Sequence, residues 1–229
     1  MSESPAEPQV PNLLDMPQDA LYSARYPMAL AYAAVMHADQ KRKDDLGTPY
    51  ITHPVAVSAL VWHYGLRVAG FEQEIEELVL AGLLHDVAED AGGSPRLAEI
   101  RDMFGARVAE IVAAATDSLS QDPAQKAPWQ ERKESHIERV RQLSAVGSDG
   151  TMVDPGSCLV IACDKLHNLT GTAAAVESQG DGYLERFAGG AQGTRWYYRT
   201  MFEALKPGLP DSIIHDTAAQ LARLGVSPD

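Results

Sequence analysis

The sequence predicts an all-α protein, folded as a single-domain helical bundle. Three observations carry this. Apolar residues recur at three- and four-residue spacing through nearly every segment, and no stretch of useful length alternates apolar with polar residues. Proline or Ser-Pro opens several segments and glycine closes them, the order in which helices start and stop. The chain of 229 residues is long enough for one domain with a proper core, and no linker divides it in two.

Residues 1–20 carry Pro5, Pro8, Pro11 and Pro17 among few large apolar groups and read as a loose tail. That leaves 21–206 for the main domain and 207–229 for a closing helix and tail. Pro27 suits the first turn of a helix through Met28, Leu30, Ala31, Ala34 and Val35. After the loop KDDLGTPYITH, Pro54 opens a helix, VAVSALVWHY, that stops before Gly65. The segment EQEIEELVLAGLLHDVAED reads as one continuous helix, apolar in its middle and central to the bundle. Ser94-Pro95 starts the next, and Gly105 separates it from VAEIVAAATD. A polar stretch leads into the helix WQERKESHIERVRQL. CLVIACDKLHNL begins with a run that would suit a buried strand, but it passes directly into a helical pattern, so helix is expected. A Gly-rich gap from Gly180 to Gly193 precedes WYYRTMFEAL, and Pro210 to Leu224 makes the last helix.

Composition narrows the function. With 45% hydrophobic and 22% charged residues the chain is ordinary for a soluble globular protein. No apolar run approaches the roughly 18 residues that cross a bilayer, so no membrane partner is expected. The N-terminus has neither a basic start nor an apolar stretch, so it does not read as a secretory signal. Cys158 and Cys163 read as reduced thiols, and the expected location is the cytoplasm. The net charge of −13 argues against nucleic acid as a partner, because duplex binding needs a basic surface. A phosphorylated small molecule would need a local basic cluster, a bound cation, or both. The sequence leaves the oligomeric state open.

Candidates for each exist. His85 and Asp86 in LLHDVAED are adjacent potential metal ligands, about 100° apart on a helix and able to reach one ion beside it. Glu89 and Asp90 follow four residues on, which stacks them over the doublet in a continuous helix. Stacked carboxylates repel unless a cation or a proton intervenes. The bland alternative is a solvated acidic helix end. His53, directly before Pro54, is disfavoured from helical geometry and is expected at a helix mouth, aimed across the bundle or capping its own helix. Asp164 follows an apolar run, a costly place for an unpartnered charge; the plainer alternative is pairing with Lys165 or capping a loop. Asn168 is one turn later on the same face.

The string QKRKDDLGTPYITHP, then LLHDVAED, then CDKLHNL, in this order and spacing, resembles the hydrolase half of RelA/SpoT-type alarmone enzymes, and most of all their small single-domain relatives. The likeness covers roughly residues 28–205. It implies that His53, His85, Asp86 and Asp164 hold one divalent ion, in that family usually manganese. It implies that Glu89 and Asp90 position and deprotonate the attacking water. Arg42 and Lys43 match the family's basic pair beside the nucleotide, Asn168 a position near ribose or phosphate, and Tyr197 a nucleotide contact. The implied reaction removes the 3′-pyrophosphate from a (p)ppGpp-like nucleotide, without alarmone synthesis, since no synthetase portion is expected.

Other histidines receive plainer readings. His37 is expected to be packed or to support a ligand rather than to be one, and His63, His136, His167 and His215 to lie at the surface or in the core. Trp129 with Arg132 and Lys133 would suit a lid with phosphate contacts, but a solvated amphipathic helix is the expectation. Where many relatives carry arginine after DKLHNL, this chain has Thr170 and Gly171. Two rivals share the motifs: an HD phosphohydrolase for another nucleotide or phosphorylated cofactor, and a non-catalytic nucleotide-sensing module.

Overall fold

The segment Leu78–Leu84 is the axis of the molecule: every residue in it is buried. It belongs to the third helix, and a helix apolar on all sides must be surrounded by others. The computed structural model describes residues 17, 20–68 and 70–227. Most of the segment read as a loose tail lies outside the described residues.

The helices run in the order α1 (Arg25–Met36), α2 (Thr52–Gly65), α3 (Ile75–Leu84), α4 (Val87–Asp90), α5 (Ser94–Phe104), α6 (Ala106–Ala115), α7 (Trp129–Leu143), α8 (Pro155–Gln179), α9 (Gly190–Leu205) and α10 (Asp211–Arg223). Two isolated bridges, Lys41 with Pro49 and Val146 with Met152, are the only β-pairing among the described residues. The chain is a single all-α domain. α3 is packed by α1, α2, α6 and α8. α10 lies along α8, sends Ile213 into the main core, and accepts a 2.5 Å hydrogen bond from Tyr64 of α2 at Asp216 Oδ2. A second apolar cluster joins Leu169 and Ala173 of α8 to Leu184, Phe202, Leu221 and Val226.

α7 has the span its sequence predicts, and CLVIACDKLHNL is helical throughout. Three elements differ from expectation. α8 is 25 residues long, starting at Pro155 and continuing through Thr170-Gly171. Its start is fixed by Asp154, which caps Ser157 N at 3.0 Å and receives the Arg107 guanidinium at 3.0 and 2.8 Å. α2 begins two residues before Pro54, so His53 is helical and sits in the first turn rather than ahead of it. Proline costs nothing there, because first-turn amides have no helical acceptor. The expected continuous helix 72–90 breaks at His85-Asp86, where the His85 imidazole takes the Gly82 carbonyl at 2.8 Å and Asp86 turns to φ −95°, ψ −8°.

Close approach of α2 and α3 is set by Gly82. A Cβ there would lie 3.1 Å from Ser58 Cα and 3.3 Å from Ser58 N. Glycine therefore lets α2, whose first turn carries His53, approach α3, which ends at Leu84 just before His85.

Candidate metal centre and active site

His53 Nε2 and His85 Nε2 face each other at 3.2 Å. Asp164 Oδ1, reaching in from the middle of α8, lies 3.1 Å from His53 Nε2 and 3.6 Å from His85 Nε2. Asp86 Oδ2 lies 3.0 Å from His85 Nε2 and 3.5 Å from His53 Nε2. His53, His85 and Asp164 are buried, and their donor atoms lie within 4.8 Å of one another. Residues from three distant stretches thus meet at one point.

The donor chemistry fits a divalent first-row ion. His85 spends its Nδ1 proton on the Gly82 carbonyl, so Nε2 is the ring atom turned to two carboxylates and another imidazole. Such an arrangement needs a positive charge at its centre. The proton affinities agree. Burial alone would weaken His85 as a base, but Asp86 and Asp164 overcome it and hold the ring well above its usual value. Burial likewise opposes ionisation of Asp86 and Asp164; His85, His53 and, for Asp164, Lys165 hold both well below the carboxylate range. This His/His/Asp cluster is suited to hold a metal ion.

Side chains around the cluster fix its orientation. Tyr50 donates to Asp86 Oδ2 at 2.7 Å. His167 Nδ1 meets His53 Nδ1 at 2.8 Å, and burial, His53 and Arg42 keep its pKa down to about 4, so its ring is neutral. Lys165 Nζ is 2.6 Å from Asp164 Oδ2, so Asp164 has the lysine partner and faces the histidines at once. Asn168 Nδ2 donates to Asp164 Oδ1 at 2.6 Å, and its Oδ1 accepts from Arg42 Nη2 at 2.7 Å. Arg42 also stands 5.5 Å over the Tyr50 ring. The loop carrying both is closed by Asp44 Oδ1, which accepts from the amides of Leu46, Gly47 and Thr48. Lys43 is held by its carbonyl, which accepts from Tyr183 and Arg186, while the residue itself is exposed.

Glu89 and Asp90 stand beside Asp86, whose carbonyl accepts the Asp90 amide at 2.9 Å and whose charge acts on both carboxyls. Glu89 Oε2 accepts the Asp117 amide at 3.0 Å, and burial followed by the Asp117 and Asp86 charges pushes its pKa up to about 8. Burial and Asp86 push Asp90 up to about 6. Two carboxyls of raised basicity beside a cation site are suited to take a proton from water near neutral pH. Arg132 and Lys133 are not solvated as expected: both ion-pair with Asp117, which is only 2% exposed. Tyr197 is buried between the Lys133 and Lys165 ammonium groups, 4.9 and 5.9 Å from its ring centroid.

Sequence reasoning missed Tyr50, His167 and Asp117. His167 had a local signal, three residues after Asp164 on the same helical face. Tyr50 and Asp117 had none, since their partners are 36 and 28 residues away.

Fold and site together define a helical hydrolase centre of the histidine-aspartate type, and the chain belongs to the HD-domain family, whose model matches residues 29–185. It is 33% identical over 185 residues to guanosine-3′,5′-bis(diphosphate) 3′-pyrophosphohydrolase MESH1 of Homo sapiens, covering 78% of this chain and 89% of that protein. To the Mus musculus protein of the same name it is 36% identical over 143 residues, 62% of this chain and 65% of that protein. A solved structure described as "A metazoan ortholog of SpoT hydrolyzes ppGpp and plays a role in starvation responses" superposes with a TM-score of 0.66 at 25% identity, covering 90% of this chain and 99% of that one.

Proposed function

We propose that the protein is a metal-dependent hydrolase that removes the 3′-pyrophosphate from (p)ppGpp-like alarmone nucleotides and releases pyrophosphate. The observation that carries this is the meeting of His53, His85, Asp86 and Asp164 at 3.0–3.6 Å beside two carboxyls of raised proton affinity. The names of the human and mouse relatives and the described activity of the structural neighbour support the substrate.

In this reading the four residues would hold one divalent ion, manganese by analogy with the family, which would supply a positive field for phosphoryl oxygens and make a nearby water more acidic. Glu89 and Asp90 hold the attacking water and take its proton. The water oxygen joins the phosphorus attached to the 3′ oxygen, the phosphorus–O3′ bond breaks, and the 3′ oxygen leaves with a proton. Arg42, fixed by Asn168 and stacked by Tyr50, offers a planar cation to the nucleotide. Lys43 stands exposed beside it as a second phosphate contact, and Tyr197 is a further nucleotide contact by analogy with the family. The cytoplasm is the proposed location, consistent with two unbridged cysteines, Cys158 and Cys163.

Purified protein with manganese is expected to release pyrophosphate from ppGpp or ppApp, and Asp86→Ala to abolish the release. Absence of release from either compound by protein shown to bind manganese refutes the substrate assignment.

A further inference from the structure

The reaction as described leaves one group of charged side chains unused. Asp117 receives Arg132 Nη1 at 2.7 and 2.8 Å and Lys133 Nζ at 2.6 Å, while its amide donates to Glu89. One carboxylate therefore balances two cations, and a positive charge is left in excess on a chain of net charge −13. Lys165 lies across from it, on Asp164, a carboxylate that also faces the metal cluster. Both lysines border the Tyr197 ring. The chain of contacts Glu89, Asp117, Lys133, Tyr197, Lys165, Asp164 thus starts and ends beside the cluster.

Two buried polar groups beside this path have no hydrogen-bond partner among the described residues. One is the Tyr197 hydroxyl; the other is His136, 1% exposed, with both ring nitrogens unpaired. The charged neighbours of His136 are Lys165, Arg139, Lys133 and Asp117. Burial and the three cations hold its pKa down to about 3, so the ring is neutral and carries one unused N–H. Unpaired buried donors are costly and rare, and a bound acceptor would satisfy these two. Two ammonium groups, a phenol and an imidazole N–H are all donors, which selects an anion rich in oxygen acceptors.

We propose that Lys133 and Lys165, with the Tyr197 hydroxyl and His136, form a subsite for the distal phosphate of a pyrophosphoryl group whose proximal phosphate lies at the metal cluster. The inference rests on the hydrolase reading given above and assigns this end of the site to the leaving pyrophosphate, opposite the Arg42 and Asn168 side. A diphosphate is favoured over orthophosphate because Asp164 and Lys165 join the cluster directly to the lysine pair.

The test is calorimetric binding of imidodiphosphate and of orthophosphate to the full chain with manganese. The wild type is expected to prefer imidodiphosphate by roughly tenfold or more, and Lys133→Met to lose roughly tenfold in imidodiphosphate affinity with orthophosphate and manganese binding unchanged. Lys133→Arg should restore most of it. Tyr197→Phe breaks no bond within the protein, so its Tm should hold while imidodiphosphate binding weakens by about three- to tenfold; it decides the matter if Lys133→Met does not fold. Wild-type affinity in Lys133→Met or in Tyr197→Phe, or no preference in the wild type, overturns the subsite. If imidodiphosphate binding depends on Lys133 but ppGpp is not cleaved, the subsite stands and the substrate assignment falls. If ppGpp is cleaved and both variants bind like the wild type, the reverse holds.

Discussion

Tyr50→Phe removes one oxygen and tests whether the cluster is a metal centre. The Tyr50 phenol is held far above its usual proton affinity, first by burial and then by Asp86 and Asp90, so it is always a donor at working pH. Its 2.7 Å bond ends on the Asp86 oxygen that faces both histidines. A hydrogen bond to a charged acceptor contributes about 1.5–3 kcal/mol, and loss of a group that orients a metal ligand typically costs about 10–100-fold in metal affinity. The two magnitudes agree. At fixed manganese well above Kd, that loss removes about 1.4–2.7 kcal/mol of ligand-linked stability. For a domain of this size the manganese-induced rise in Tm should shrink by roughly 3–10 °C. The assay is a thermal melt of wild type and variant with and without manganese, alongside a direct manganese titration. An unchanged manganese affinity with an unchanged Tm increment would refute the claim that Asp86 is oriented for a metal.

Three further outcomes follow from the geometry. Gly82→Ala should cost about 1–3 kcal/mol in urea unfolding and weaken manganese binding, because its Cβ meets Ser58 backbone and parts α2 from α3; unaltered manganese affinity would sever packing from site geometry. Glu89→Gln should lower kcat by about 10²–10⁴ while manganese affinity stays within about threefold; full activity would remove Glu89 from proton transfer. His136 has a folded pKa of about 3 against an unfolded value near 6.5, so the unfolded state binds more protons between those values and stability falls as pH drops through 6.5. From pH 7 to pH 5 this group should cost the wild type about 2 kcal/mol that His136→Leu does not lose; identical acid sensitivity of the two would refute the burial argument.

Local chemistry was enough to read the helices. Apolar spacing and Pro/Gly punctuation placed α7 and the core of α3, because periodicity is a property of the chain before it folds. The same holds for His85-Asp86 with Glu89-Asp90, a cluster of ligand types within six residues. Helix ends were less legible. α8 runs on through Thr170-Gly171, where burial of Leu169, Thr172 and Ala173 outweighs the glycine. The break at His85-Asp86 falls where the His85 imidazole takes the Gly82 carbonyl, a contact no local propensity announces.

What the sequence by itself determined was the class of fold and the inventory of ligand and acid–base groups. Tertiary structure alone decided how they meet. It set His53 against His85 through the Gly82–Ser58 contact, turned Glu89 toward Asp117, and brought Lys133 and Lys165 to one tyrosine ring. The physical reason is range: helix propensity acts over a few residues, whereas burial and charge pairing couple side chains separated by tens of residues and have no local signature.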